Sequence, residues 1–356
     1  MRFDDDFVIG HVHVLDIKTG KKYYNKTDLI SGHSNPVNLR LVLHDGKWQS
    51  FDWETEPSET FKELLHRRCR QIRDKYPYVT LYFSGGVDSE TMVRAFIESG
   101  VHPDEIVINI LKIGNQNPLQ DLDLAVQKLH HFKQFLPKTK ITVNELGRDY
   151  VLGFLNSYNW WESTFNQSIG NLRRFPNHIL EILGQGHKNA PTTGHITASE
   201  KPHIVIKEGK YYSTSYQGIA IAQYADWFYY SLDCPELHIK QCHLVKNYFQ
   251  KNIPDADGFL SERSQYNEHV IKACRYEYDS SYQPAKFIGL GVDLFTDVKN
   301  EDSIVYQAMK KDDPELFSKY SYKVLDTISA IDKSLLSPRK RDVENIPPAH
   351  MFYLGK

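Results

Sequence analysis

Residues 78–90 read YVTLYFSGGVDSE: an apolar run that leaves through Gly85 and Gly86 into a stretch carrying Ser84, Asp88 and Ser89. YVTLYF has the length and the β-branched and aromatic content of a buried strand. From Ser89 to Ser99, Met92, Val93, Phe96 and Ile97 recur at helical spacing. The segment therefore predicts strand, glycine turn and helix. Two glycines let the backbone turn without Cβ clashes, so several N–H groups can converge on one anion. A helix starting near Ser89 adds unpaired N–H groups and its positive dipole end. Ser84 and Ser89 supply hydroxyls, and Asp88 can hold Mg2+ against phosphate oxygens. The plain alternative is a strand-to-helix connection with Asp88 or Ser89 as the N-cap. Ser-Gly-Gly-x-Asp-Ser fixes five positions, which a chain this long matches by chance on the order of once in two thousand at average residue usage.

On either side of this loop the chain keeps alternating. EIVINIL (105–111) reads as a second buried strand, 120–135 as a helix and KITVNEL (140–146) as a third strand. Further helix is expected across 148–158 and 176–184, with NAPTTG (189–194) as a short fourth strand. Continuous apolar strands separated by helices predict a parallel sheet covered on both faces. Upstream, Phe61, Leu64, Leu65, Cys69 and Ile72 mark a helix over 58–74. Before it, FVIGHVHVLDI alternates, KTGKK turns, and NLRLVLHDGKWQSFDW reads as a hairpin about Asp45-Gly46. After residue 200 a hairpin turns at Glu208-Gly209 and the remainder looks mostly helical. The divisions expected are a β-rich region over 1–56, an α/β core over 57–200, a hairpin and helical region over 201–330, and a polar, proline-bearing tail over 331–356 that wraps the surface or moves freely.

Composition narrows the classes. Lys and Arg total 43 against 45 Asp and Glu, a formal charge of −2, so the chain as a whole is no polyanion binder. SPRKRD (337–342) and the Arg67–Arg73 run remain as local basic patches. No segment approaches the roughly 20 apolar residues of a membrane span, and MRFDDDFVIG is acidic where a secretory signal is basic. A cytoplasmic protein without a membrane partner is expected. The four cysteines, Cys69, Cys234, Cys242 and Cys274, form no Cys-x-x-Cys pair and predict buried, inert thiols. His11 and His13 share a strand face, but no third metal ligand stands near them in sequence.

Ser84-Gly85-Gly86-Val87-Asp88-Ser89 resembles the pyrophosphate-binding loop of the PP-loop (N-type) ATP pyrophosphatases, the superfamily of asparagine, GMP, argininosuccinate, NAD and tRNA-lysidine synthetases. It is not the Walker A pattern Gly-x-x-x-x-Gly-Lys-[Ser/Thr]. The resemblance implies a doubly wound, mostly parallel five-stranded sheet, of the adenine nucleotide alpha-hydrolase type, and cleavage of ATP between its α- and β-phosphates. The loop would grip the departing pyrophosphate while AMP passes to a substrate oxygen that an amine then attacks. Phe83, Asn109, Ile110 and Leu111 match the positions that receive adenine in this superfamily, and Val87 lies within the loop itself. The fourth strand's end would be Pro191 to Glu200, with Thr193 and Gly194 beside the nucleotide and Glu200 as a second Mg2+ ligand. This stretch departs from the family's Gly-x-Gly-x-x-Asp-Glu run, which leaves the second ligand open. DCPELHIKQCHLVKNYF and YNEHVIKACRYEYDSSYQPAK resemble the C-terminal helices of asparagine-synthetase-like proteins, some from bacterial viruses. A virus-encoded chain would work in the host cytoplasm.

Missing parts restrict the reaction further. Asparagine synthetase places a catalytic cysteine after Met1, where this chain has Arg2, and 1–56 is too short for a glutaminase. Free ammonia, a separate amidotransferase or another amine would serve as donor to a small-molecule acceptor. Scattered cysteines argue against persulfide carriage and a four-cysteine zinc site. An α-phosphate under attack needs cations, and Lys240, Lys246, Lys272, Arg275 and Lys286 are the candidates, with Lys272 and Arg275 able to share a helix face. The expectation is an Mg2+- and ATP-dependent, AMP-forming ligase. Two alternatives share the same loop: an enzyme that modifies a nucleobase or nucleic acid, and a nucleotide-binding module without turnover.

Overall fold

The computed structural model describes residues 13–16, 18–23, 39–42, 45–111, 120–146, 192–198, 204–214, 225–253, 271–275 and 351–356, with isolated positions at 149, 202, 311, 313–315 and 317–318. The helix expected at 148–158, apart from residue 149, the helix expected at 176–184, and residues 199–201 lie outside the described residues. At the centre is a five-stranded sheet made of β4 (Tyr78–Tyr82), β5 (Glu105–Leu111), β6 (Lys140–Leu146), β7 (Thr193–Thr197) and β10 (Ala225–Trp227). Its spatial order is β10-β7-β4-β5-β6, and every neighbouring pair is parallel. The chain thus moves outward from β4 through β5 to β6, then crosses back to place β7 on β4's other side. Helices α2 (Phe61–Lys75), α3 (Val87–Glu98) and α4 (Gln120–Lys133) supply the α part of this α/β fold.

Register explains which residues are hidden. Leu81 pairs with Ile106 and with Ile196, so these three share one face with Val79 and Ile108. That face joins Leu64, Leu65, Cys69 and Ile72 of α2, Met92 and Phe96 of α3, and Ala125, Leu129 and Phe132 of α4 in a single core. The opposite face is polar, contrary to the expectation of strands apolar throughout. Thr80 pairs with Glu105 and His195 there, and the buried Tyr82 hydroxyl meets His195 Nδ1 at 3.0 Å. Alternation along YVTLY was masked because tyrosine and threonine are as much at home in strands as valine.

α2 carries the start signal its sequence promises. Thr60 Oγ1 accepts from the Glu63 N–H while Glu63 accepts from the Thr60 N–H, a closed capping box. The N-terminal part differs from expectation. β1 (His13–Asp16) pairs antiparallel with β2 (Lys22–Tyr23) and β3 (Leu39–Val42), but Asp45-Gly46 opens a short helix, α1 (Asp45–Trp48), instead of turning a hairpin. Aromatic packing is the reason: Trp48 is buried against Tyr230, with ring centroids 4.4 Å apart, and Trp53 Nε1 donates to the Trp48 carbonyl. Trp48 and Trp53, from the stretch expected to be β-rich, therefore join the common core.

The expected boundary at 200 is also crossed, since β10 completes the sheet after the hairpin of β8 (Ile204–Lys207) and β9 (Lys210–Thr214). α5 (Pro235–Asn252) packs on α2. The end of the chain is pinned: β11 (Met351–Tyr353) adds antiparallel to β9, with Phe352 and Leu354 buried. Among the described residues no helix is long and apolar enough to cross a membrane.

Candidate anion-binding loop

β4 ends at Tyr82, and the Phe83 N–H still bonds to the Val107 carbonyl of β5 at 2.8 Å, so the loop leaves from the sheet's carboxyl edge. Gly85 adopts φ +73°, the left-handed region that a side chain resists. A Cβ at Gly85 would also stand 2.7 Å from Ala125 Cβ of α4. The glycine is thus required by both turn and packing. Helix α3 begins at Val87 with Gly86 as its N-cap, two residues earlier than the periodicity suggested. Neither Asp88 nor Ser89 caps it; both sit in its first turn.

Hydroxyls hold the loop closed. The Ser84 N–H donates to Ser89 Oγ at 3.2 Å, and Ser89 Oγ donates to the Gly86 carbonyl at 3.0 Å. Ser84 Oγ lies 3.1 Å from Ser89 Oγ and accepts weakly from the Gly86 N–H. Ser84 is exposed and Ser89 buried, so the hydroxyl pair runs from the rim of the loop into the turn it braces. Asp88 is half-buried, and its carbonyl accepts from the Tyr229 hydroxyl at 2.8 Å. Tyr229 follows β10 and is fully buried, a contact across 141 residues that no local pattern announces.

Directly behind the loop sits Glu90, fully buried. Its Oε1 meets Arg94 Nε at 3.0 Å and Lys128 Nζ of α4 at 2.5 Å. Its Oε2 has no hydrogen-bond partner among the described residues. Sequence reading passed over Glu90; the signal was an acid within the first turn of an otherwise apolar helix face.

Other expected site residues fall into place unevenly. Phe83 is buried on the apolar face, edge-on to Phe132 with centroids 6.3 Å apart. Val87 is buried. Asn109, Ile110 and Leu111 form the carboxyl end of β5, in register with Asn144, Glu145 and Leu146 of β6. Thr193 and Gly194 do not stand at a strand's carboxyl end. They start β7, opposite Tyr78 and Val79, about 16 Å and about 13 Å along the sheet from Phe83 at about 3.3 Å per residue. The fourth strand is TGHIT, shifted from NAPTTG because Pro191 has no N–H to give a sheet while Ile196 fills the core. Gly194 is a packing glycine: a Cβ there would lie 2.3 Å from the Tyr76 ring. Glu200 and Lys286 lie outside the described residues, as does His11.

The expected cations divide likewise. Lys240 is engaged by Glu56 at 2.7 Å and the Pro57 carbonyl, and Lys246 by the Leu354 carbonyl at 2.7 Å, so both tie the fold together. Lys272 is exposed on a π-helical turn, Ile271–Arg275, which packs against α3 and α5 and also carries Arg275. The Arg67–Arg73 run is no open basic patch. Arg67 pairs with Glu59 and Glu236, Arg73 with Asp104, and Arg68 is wholly buried against Asp226 at 2.7 Å. All four cysteines are buried thiols outside any disulfide, and burial pushes the Cys69 and Cys242 thiols far upward, as expected for inert packing residues. Among the described residues no group of three or more His, Cys, Asp or Glu could hold a metal ion. Asp88, half-buried in the first turn of α3, is the carboxylate expected to hold Mg2+, an ion that keeps several waters and takes one or two carboxylates beside substrate phosphates. Compared with known proteins, this chain matches no family model and no curated protein.

Proposed function

We propose that this chain is an ATP pyrophosphatase of the PP-loop type: an AMP-forming ligase that activates a carboxylate or carbonyl oxygen for attack by an amine. One observation carries the reading. The SGGVDS segment occupies the carboxyl edge of β4, beside the point where strand order reverses between β4 and β7, and feeds directly into the first turn of α3. In parallel α/β sheets that edge is where ligands bind, and a doubly wound sheet provides it. Backbone N–H groups of a glycine turn and a helix N-terminus suit pyrophosphate better than an apolar ligand. Ser84, on the exposed rim, would donate to a phosphate oxygen, and Ser89 would keep the turn closed around it. Asp88 would hold Mg2+, which when bound supplies charge compensation for the leaving pyrophosphate. Asn109, Ile110 and Leu111, at the neighbouring strand's end, would border the adenine. The nucleic-acid alternative loses the support of the Arg67–Arg73 run, whose described charges are mostly paired.

The test is product identity. Incubated with Mg-ATP and a panel of carboxylic acids and amines, the protein is expected to release pyrophosphate and AMP, and Asp88→Asn to cut the rate by about a hundred-fold or more. ADP with phosphate as products, or equal rates for wild type and Asp88→Asn, would overturn the reading. Magnesium-dependent ATP binding with no AMP formed would leave only the nucleotide-binding part of it.

A further inference from the structure

Helix α4 presents one face to the loop at three points. Phe132 meets Phe83 where the loop begins, Ala125 stands under Gly85 at its turn, and Lys128 reaches Glu90 just after it. Residues 125, 128 and 132 lie on one face of the helix, spaced three and four apart. The middle contact is steric and close, so any shift of α4 changes what Gly85 can do. The third contact is ionic and buried: Glu90 is shut off from solvent, and Lys128 and Arg94 both point at its Oε1. A carboxylate hidden behind an anion-binding turn would repel the anion unless cations offset it. Two cations on one carboxylate leave the group with one net positive charge.

We propose that Glu90 and Lys128 are positioning residues for the anion loop: their ion pair clamps α4 against α3 and so fixes Ala125 beneath Gly85. This rests on the reading of residues 84–89 as a phosphate cradle, but its test does not. A salt link that only held the fold together would be felt across the whole core. One that positions the loop is felt first at residues 83–90. Lys62 and Glu98, paired at 2.8 Å between α2 and the far end of α3, provide the comparison, since their loss loosens the same helix away from the loop.

Amide hydrogen exchange on the full chain, without ligand and then with inorganic pyrophosphate and Mg2+, decides the matter. Lys128→Met and Glu90→Gln are each expected to speed exchange at 83–90 by about ten-fold or more while the β5 and β6 amides hold their rates. Lys128→Arg, which keeps the charge, should restore slow exchange, and Lys62→Met should leave 83–90 unchanged. The double variant Lys128→Met with Glu90→Gln should be no faster at the loop than either alone. Equal acceleration of loop and central strands, or no acceleration at all, would overturn the clamp. Pyrophosphate is expected to slow exchange at 83–90 in wild type. Its failure to do so would count against the phosphate cradle, while the ligand-free rates would still decide the clamp.

Discussion

Gly85 and Gly194 are both glycines that no side chain can replace, yet for opposite reasons and with separable consequences. At Gly85 the left-handed backbone alone disfavours alanine by about 1–2 kcal/mol, and the neighbouring Ala125 leaves no room for a methyl group. Gly85→Ala is therefore expected to weaken pyrophosphate binding more than it lowers the unfolding midpoint, because the strain concentrates in the turn. Gly194 has no unusual φ; its constraint is the Tyr76 ring lying where a Cβ would stand. Gly194→Ala must displace a ring whose hydroxyl donates to Asp226 at 2.9 Å, so the cost falls on the core, about 1–3 kcal/mol for overpacking. Denaturant midpoints and pyrophosphate titrations on both variants check the contrast, and a reversed order would contradict it. The sequence showed Gly85 within a motif and put Gly194 at the end of a fourth strand beside the nucleotide, with nothing to mark it as a packing glycine. Its partner ring sits 118 positions earlier.

At the scale of elements, α2 and β10 are joined by a buried charge. Arg68 donates to Asp226 and to the Trp227 carbonyl, and Tyr76 and Lys75 reach the same carboxylate. Burial pushes the Asp226 carboxyl upward, but Arg68 and Lys75 outweigh it and hold the group below its ordinary value. Its stabilisation is thus present above about pH 4 and lost as pH falls through the lowered pKa. Arg68→Met strands Asp226 without its main partner and should cost about 3–5 kcal/mol in urea unfolding, with part recovered in Arg68→Met, Asp226→Asn. A second pH effect acts earlier. Burial among Trp48, Trp53 and Tyr230 pushes His238 of α5 down to about 3. The folded state refuses a proton that the unfolded chain accepts near pH 6.5, so stability from this residue is complete above that and falls with acidity down to about 3. Between pH 7.5 and 5 the loss should be about 2 kcal/mol, and His238→Phe should remove most of it. His243 and His66, both also lowered by burial, add to the slope in the same direction. Guanidinium midpoints at the two pH values measure this.

For the whole molecule, what could be read was what is local. β4 to β6 and α2 to α4 announce themselves because apolar periodicity and capping operate within a few residues. The fifth strand did not: ADW is three residues long, contains a charge, and is a strand only because β7 offers it an edge. The loop's strand, glycine turn and helix were legible in its sequence, whereas its supports, Tyr229, Lys128 and Ala125, come from other elements and had no motif of their own. The final residues make the same point. Read as a polar tail, 351–356 instead closes the core at a distance from everything near it in sequence. Phe352 stacks on Trp53, centroids 4.3 Å apart, and the Leu354 N–H bonds to the Tyr211 carbonyl while Gly355 accepts from Tyr211. Lys246 and Gln250 of α5 donate to the carbonyls of Leu354 and Lys356. Deleting 351–356 would uncover Trp53, strip β9 of a neighbour and leave Lys246 without the carbonyl it bonds. Burial of Phe352 and Leu354 alone contributes about 1.5–3 kcal/mol each, so the truncated chain should melt well below the full one. Phe352→Ala should give about 3–5 kcal/mol of that loss by itself. Thermal melts of the two variants, with Trp53 fluorescence reporting solvent entry, provide the measurement. An unchanged melting temperature would return these residues to the surface role that their composition suggested.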